Sequence, residues 1–198
     1  MRRGKTLKRT VGSRGAPKQS FLIVCEGART EPNYFKAFKV TSATVEVEGS
    51  GYNTLSLVDY TKNLVKSYEK DGFHFDQVWC VFDRDDFSST FNEAIQKAES
   101  LGYYAAYSNE AFELWYLLHF IYFDTEISRH DYIEKLSQHI GYKYKKNNRE
   151  MYDELLEKQD KAIRHAERLL QNYSQRNPNR NNPSTTVHLL VKELNRYV

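Results

Sequence analysis

Two short apolar runs in this chain each end in acid, and together they constrain the fold more than any other feature. Phe21-Leu22-Ile23-Val24-Cys25 leads into Glu26-Gly27, and Val78-Trp79-Cys80-Val81-Phe82 leads into Asp83-Arg84-Asp85-Asp86. Short apolar runs between polar flanks are the pattern of strands buried on both faces. Such strands belong to parallel sheets covered by helices, and those sheets bind ligands beyond the carboxyl ends of their strands. Glu26, Asp83 and Asp85 are therefore expected to meet at one sheet edge. Carboxylates so placed repel by about 1 kcal/mol per pair in water, and by more once desolvated, unless a divalent cation neutralises them. Magnesium and manganese prefer oxygen ligands, and magnesium is usually held by one or two carboxylates together with waters and substrate phosphates. The expectation is a Mg2+ or Mn2+ site acting on a phosphate-bearing substrate.

The rest of the chain alternates in the same style. Strands are predicted over 20–25, near 43–47, over 77–82 and over 103–107. Helices are predicted over 30–39, from Asn53 to Asp71-Gly72, over 88–101 with Gly102 as the stop, and from Asn109 or Glu110 to about Tyr122. Thr30 reads as an N-cap, with Glu31 and Pro32 suited to the first turn. Strands separated by helical segments of this length imply a parallel sheet with right-handed crossovers, covered on both faces. Further helices are expected at 129–139, 149–174 and 184–197, with a polar loop between the last two. The predicted organisation is a mainly parallel α/β core over 19–123 flanked by helices, followed by a helical C-terminal extension over 124–198 that packs on the core.

The net charge of +3 conceals an asymmetry. The first 18 residues carry seven Lys and Arg and no acid, which leaves a net charge of −4 on the remainder. A basic arm of that kind binds nucleic acid by counterion release or serves as a solubilising tail. No run approaches the roughly 20 apolar residues of a membrane span, and no secretory signal pattern follows the basic start. A cytoplasmic protein with no membrane partner is expected. Cys25 and Cys80 fall inside predicted strands, where a thiol acts as a small hydrophobe, and their spacing suggests neither a zinc site nor a disulfide framework.

Individual residues carry further expectations. Asp83 and Asp85 stand two apart, so in strand geometry they face the same way and can share a cation, while Asp86 faces elsewhere. Glu113 lies in the apolar stretch 112–120, where an unpaired charge is costly. It either reaches the acidic cluster or serves as a helix-dipole or salt-bridge partner. Glu31 in a first helical turn is equally explained by the dipole. Arg29 and Thr30, at a helix N-terminus just beyond Glu26, are placed to hold a phosphate. Lys161, Arg164 and Arg168 share a helical face that is either a phosphate patch or a solvated surface. Ser184 and Thr185 after Pro183 read as an N-cap first and a phosphate contact second. His119 and His165 have no companion at metal-ligand spacing and read as structural.

The run Val24-Cys25-Glu26-Gly27-Ala28-Arg29-Thr30-Glu31-Pro32-Asn33-Tyr34-Phe35 resembles the opening of the RloB family of bacterial defence-island proteins. Phe82-Asp83-Arg84-Asp85, Ser108-Asn109, Phe112-Glu113-Leu114-Trp115, Leu117-Leu118-His119-Phe120 and Asn182-Pro183-Ser184-Thr185-Thr186-Val187 agree with that family in the same order. An acid after the first strand with Asp-x-Asp after a later one is also the pattern of the Toprim fold of topoisomerases, primases and a group of nucleases. The resemblance implies a Toprim-like core and a role in antiviral restriction or abortive infection beside an ATPase partner. Carried onto this chain, it implies Asp83 and Asp85 as metal ligands and Glu26 as general base or ligand of a second metal. Glu113 is a further catalytic candidate, and Asp86 is an acid beyond the minimal pattern. The expected function is a divalent-metal-dependent nuclease acting on DNA or RNA. The rival is a non-catalytic sensor or adaptor in an ATPase-containing complex. Primase-like nucleotidyl transfer uses the same acids but normally needs nucleotide-handling modules that this short chain does not evidently supply. A homo-oligomer is compatible with either leading reading.

Overall fold

Every second residue of a strand faces the same side of its sheet, and in this chain both sides are apolar. The structure, a computed structural model of the chain, describes residues 19–84 and 89–198. The two acid-ended runs form neighbouring parallel strands, β1 (Gln19–Cys25) and β3 (Gln77–Asp83). Phe21, Ile23 and Cys25 of β1 and Trp79 and Val81 of β3 face one hydrophobic layer. Leu22 and Val24, with Val78, Cys80 and Phe82, face the other.

Three further strands complete the sheet: β2 (Ala43–Gly49), β4 (Tyr104–Asn109) and β5 (Ser184–Thr185). The order is β2-β1-β3-β4-β5, with the first four parallel and β5 antiparallel to β4. Helices α2 (Thr54–Lys70) and α3 (Phe91–Ser100) cover one face through Leu57, Val58, Phe91 and Ile95. The other face is covered by α1 (Thr30–Lys36), α4 (Glu113–Leu118), α5 (Arg129–Ile140), α6 (Met151–Leu155), α7 (Gln159–Gln171) and α8 (Val187–Asn195). Trp115, Leu136, Leu169 and Leu190 from this set share one core with Phe21 and Ile23. Residues beyond 123 are thus a layer of the same core, and they also supply a strand. Among the described residues no helix is long and apolar enough to cross a membrane. Cys25 and Cys80 are buried free thiols, each pushed up in pKa by burial, Cys80 to about 11.

The α/β alternation expected from the sequence is present, with local differences. The helix expected from Asn109 or Glu110 starts at Glu113 because Ser108 and Asn109 remain in the sheet, paired with Asp83 of β3 and with β5. The helix expected over 149–174 is broken by a 3₁₀ turn at Leu156–Lys158. Thr30 does not cap α1; its hydroxyl donates to the Lys146 carbonyl at 2.9 Å.

Ser184 and Thr185 correct both the predicted helix start and the phosphate role considered for Thr185. They form β5, and Thr185 is fully buried. Its hydroxyl donates to the Tyr107 carbonyl at 3.0 Å and lies 3.1 Å from Ser108 Oγ, while the Val187 N–H donates to it at 3.2 Å. A hydroxyl so engaged is unavailable to substrate. Thr185→Val is expected to leave these partners unsatisfied and to lower stability by about 1–3 kcal/mol, measurable by urea unfolding, with any activity per folded molecule unchanged.

Candidate active site at the ends of β1 and β3

In a doubly wound sheet of order 2-1-3-4-5, the connections after the first and third strands leave on opposite faces and a crevice opens between them. Here α1 follows β1 onto one face and α3 follows β3 onto the other. Glu26 continues β1, its N–H donating to the Val81 carbonyl at 2.9 Å, which sets it beside the end of β3. Glu26 Oε2 accepts the Asp83 N–H at 3.1 Å, and Asp83 Oδ2 accepts the Phe112 N–H at 3.0 Å. Backbone donors therefore orient both carboxylates. Phe112 leads into α4, whose first residue is Glu113.

Glu31, in the first turn of α1, is the fourth acid. It folds back against Gly27, where a Cβ would strike its carboxylate. The turn in turn lies against the end of β2: a Cβ on Gly49 would stand 2.9 Å from the Gly27 carbonyl and 3.0 Å from Ala28 Cα. Two glycines thus permit the approach that brings Glu31 to the strand ends.

Glu26, Glu31, Asp83 and Glu113 line a cleft of about 290 Å³ together with the cationic residues Arg29, Arg129 and Lys146. Burial pushes Glu26 up to about 7, opposed by the hydrogen bond from the Asp83 N–H and reinforced by Glu31. Asp83 is driven well above the usual aspartate range by burial first and then by Glu31, Glu113 and Glu26. Glu31 is raised by burial and by Glu113. Glu113 is 1% exposed and its Oε1 has no hydrogen-bond partner; Lys146 Nζ stands 3.9 Å away. Among the described residues, no group of three His, Cys, Asp or Glu side chains is arranged to hold a metal ion by itself.

The structure thus brings Glu26, Asp83, Glu113, Arg29 and Thr30 to one cleft. Asp85, Asp86 and the basic arm lie outside the described residues. Lys161 and Thr185 do not line the cleft. Lys161 Nζ donates to the Phe120 carbonyl, and the Arg168 guanidinium lies 4.0 Å over the Tyr122 ring, so two members of that basic face are engaged by their own chain. His119 Nδ1 is bonded to the Trp115 carbonyl at 2.9 Å and His165 Nδ1 to the Leu118 carbonyl at 2.8 Å. Arg129 and Lys146 are cleft residues that sequence reasoning did not find. Arg129 lies in a helix start more than 40 residues from Asp83 in the sequence, and nothing separates Lys146 from its neighbours Lys143 and Lys145. Glu31 carried a signal, an acid five residues after Glu26 in the first turn of α1, which the dipole explanation masked.

No curated protein and no solved structure matches the chain. A family model described as RloB-like protein matches residues 21–194, nearly the whole length, and the chain belongs to that RloB-like family.

Proposed function

We propose that the cleft is the active site of a divalent-metal-dependent nuclease, which hydrolyses phosphodiester bonds of DNA or RNA on a Toprim-like core. The observation that carries this reading is the gathering of four carboxylates, three of them raised in pKa, around one cleft at the strand ends. Such a cluster is costly to the folded protein by itself, and perturbed acids in a cleft mark functional sites. The donor set fits a hard cation: all donors are oxygens, and Glu113 Oε1 is buried without a hydrogen-bond partner, with Lys146 Nζ 3.9 Å away. Asp83, with Asp85 two residues on, would hold the ion, in the manner of magnesium sites that use one or two carboxylates and leave positions for water and phosphate. When bound, it would polarise the phosphodiester and stabilise charge on the leaving oxygen.

The chain's own groups supply the remainder. Glu26, half-ionised near neutral pH, is suited to accept the proton of the attacking water. The Phe112 N–H fixes Asp83, and Arg29 and Lys146 offer cations to the phosphates flanking the scissile bond. The basic arm would add sequence-independent attraction to the nucleic-acid backbone. A role in antiphage defence or abortive infection, beside an ATPase partner, rests on the resemblance to defence-island proteins.

The test is cleavage of labelled DNA and transfer RNA with Mg2+, Mn2+ or chelator, with and without the ATPase partner, by the wild type and Glu26→Gln. Metal-dependent cleavage should fall by about 10²-fold or more in the variant, as befits loss of a general base. Cleavage that persists in chelator, or undiminished in Glu26→Gln, overturns the proposal.

A further inference from the structure

The loop that delivers Lys146 to the cleft carries more than that one cation. Between α5 and α6, residues 141–149 hold Lys143, Lys145, Lys146 and Arg149 and no acid, although residues 19–198 together have a net charge of −4. All four are exposed, and among the described residues the side chains of Lys143, Lys145 and Arg149 have no carboxylate partner. Other basic residues on this side of the sheet are engaged by their own chain: Lys192 Nζ lies 2.7 Å from Glu167 Oε1, and Arg196 Nη1 lies 3.1 Å from Glu193 Oε2.

Hydrogen bonds frame the loop and set it against the cleft. The Thr30 hydroxyl donates to the Lys146 carbonyl at 2.9 Å, which pins the loop to the start of α1, and Lys146 itself lines the cleft. Tyr144 is buried, its N–H donating to Ser137 Oγ at 3.0 Å and its ring edge-on to Tyr116. The Asn148 N–H donates to the Lys145 carbonyl at 2.9 Å, closing a turn around Lys146, and Asn148 Nδ2 donates to the Tyr142 hydroxyl at 2.8 Å. That hydroxyl donates in turn to the Glu154 carboxylate at 2.6 Å. Tyr142 is thereby held beside the turn that carries Lys146, while its ring remains 43% exposed.

A held, exposed ring among cations is the combination by which proteins bind unpaired nucleotides: Lys and Arg neutralise the phosphates and a base stacks on the ring. In a duplex the bases are paired and stacked on one another, and a base reaches a side chain's ring only when it leaves the stack. We propose that the 142–149 loop is the docking surface for a single-stranded stretch of nucleic acid, with a base stacked on Tyr142 and the phosphates on the cations of the same loop, from which Lys146 leads into the cleft. The inference rests on the nuclease reading for its substrate class and adds that the strand is unpaired where it meets the cleft.

Fluorescence anisotropy with a labelled single-stranded DNA 20-mer and the same sequence as duplex tests this in chelator, where metal-dependent cleavage does not intervene. The full chain is used throughout, so the basic arm contributes equally to every variant. The single strand should bind more tightly than the duplex. Tyr142→Ala should weaken the single strand by about tenfold, as loss of a stacking ring does, and leave the duplex nearly unchanged. Tyr142→Phe, which keeps the ring and loses the hydroxyl's bonds, should bind the single strand like the wild type. The triple variant Lys143→Ala/Lys145→Ala/Arg149→Ala should reduce the slope of log affinity against log salt by about 2. A duplex bound as tightly as the single strand overturns the proposal, as does an unchanged salt slope in the triple variant. So does a Tyr142→Phe variant as weak as Tyr142→Ala, because the loop frame rather than the ring would then matter. Metal-dependent cleavage together with any of these results would sink the docking surface and leave the nuclease reading standing. Loop-dependent single-strand binding by a protein that cleaves nothing would do the reverse.

Discussion

Asp83→Asn is expected to make the protein more stable and inactive at once. Asp83 is half-buried at the end of β3 and faces the field of Glu31, Glu113 and Glu26. Removing its charge relieves repulsion on every side, while the amide oxygen can still accept the Phe112 N–H that Asp83 Oδ2 accepts at 3.0 Å. Tm should rise by about 2 °C or more, since a chain of this size gains about 2–4 °C for each kcal/mol. Metal-dependent cleavage should fall by about 10³-fold, the scale lost when a group that stabilises charge in the transition state is removed. The two effects separate the possible outcomes. A lower Tm would show that Asp83 is held by favourable contacts and that the cluster carries no electrostatic strain. Full cleavage with a raised Tm would remove Asp83 from the reaction.

The same cluster sets the direction of pH dependence. An acid whose pKa is higher in the folded state than in the unfolded chain binds more protons when folded, so its contribution is complete at low pH and is lost as pH rises through the folded value. Glu26 moves from 4.5 to about 7, and Asp83 and Glu31 are also raised. Buried histidines act in the opposite sense. His119 and His188 are lowered from 6.5 to about 4 by burial, so they favour the folded state increasingly as pH rises from 4 to 6.5 and contribute no further change above that. The carboxylates are therefore isolated above pH 6.5. Urea unfolding without metal should show stability falling from pH 6.5 through 7 and beyond. The slope should be shallower in Asp83→Asn and shallower again in the wild type with millimolar Mg2+, because an ion bound to the carboxylates stabilises their charged forms. Stability that rises with pH over this interval would contradict the electrostatic description of the cleft.

Much of the architecture was legible because it rests on local periodicity. The strands β1 and β3 announce themselves as unbroken apolar runs, and in the structure alternate residues of each face separate layers. Asp71-Gly72 and Gly102 mark the ends of α2 and α3, and Gly72 and Gly102 both adopt positive φ. β5 was not legible. Two residues have no period, and Ser184 and Thr185 become a strand only because Tyr107 and Ser108 offer partners some 77 positions earlier in the chain. The late start of α4 is likewise decided by strand pairing outside the segment.

The cleft divides along the same line. That Glu26 and Asp83 lie together follows from the sequence itself, because each ends a buried strand and parallel neighbours deliver their carboxyl ends to one edge. What the sequence by itself determined is therefore the layered α/β plan and the acidic character of one sheet edge. Only the tertiary structure decided which other groups reach that edge. Glu31 arrives because Gly27 and Gly49 allow two turns to touch. Lys146 arrives from 28 residues beyond the end of α4, and its backbone is anchored by the Thr30 hydroxyl. Thr185 is withdrawn into the sheet. The physical reason is range: periodicity and strand polarity are properties of neighbouring residues, whereas a cleft is filled by whichever distant side chains the completed packing leaves facing it.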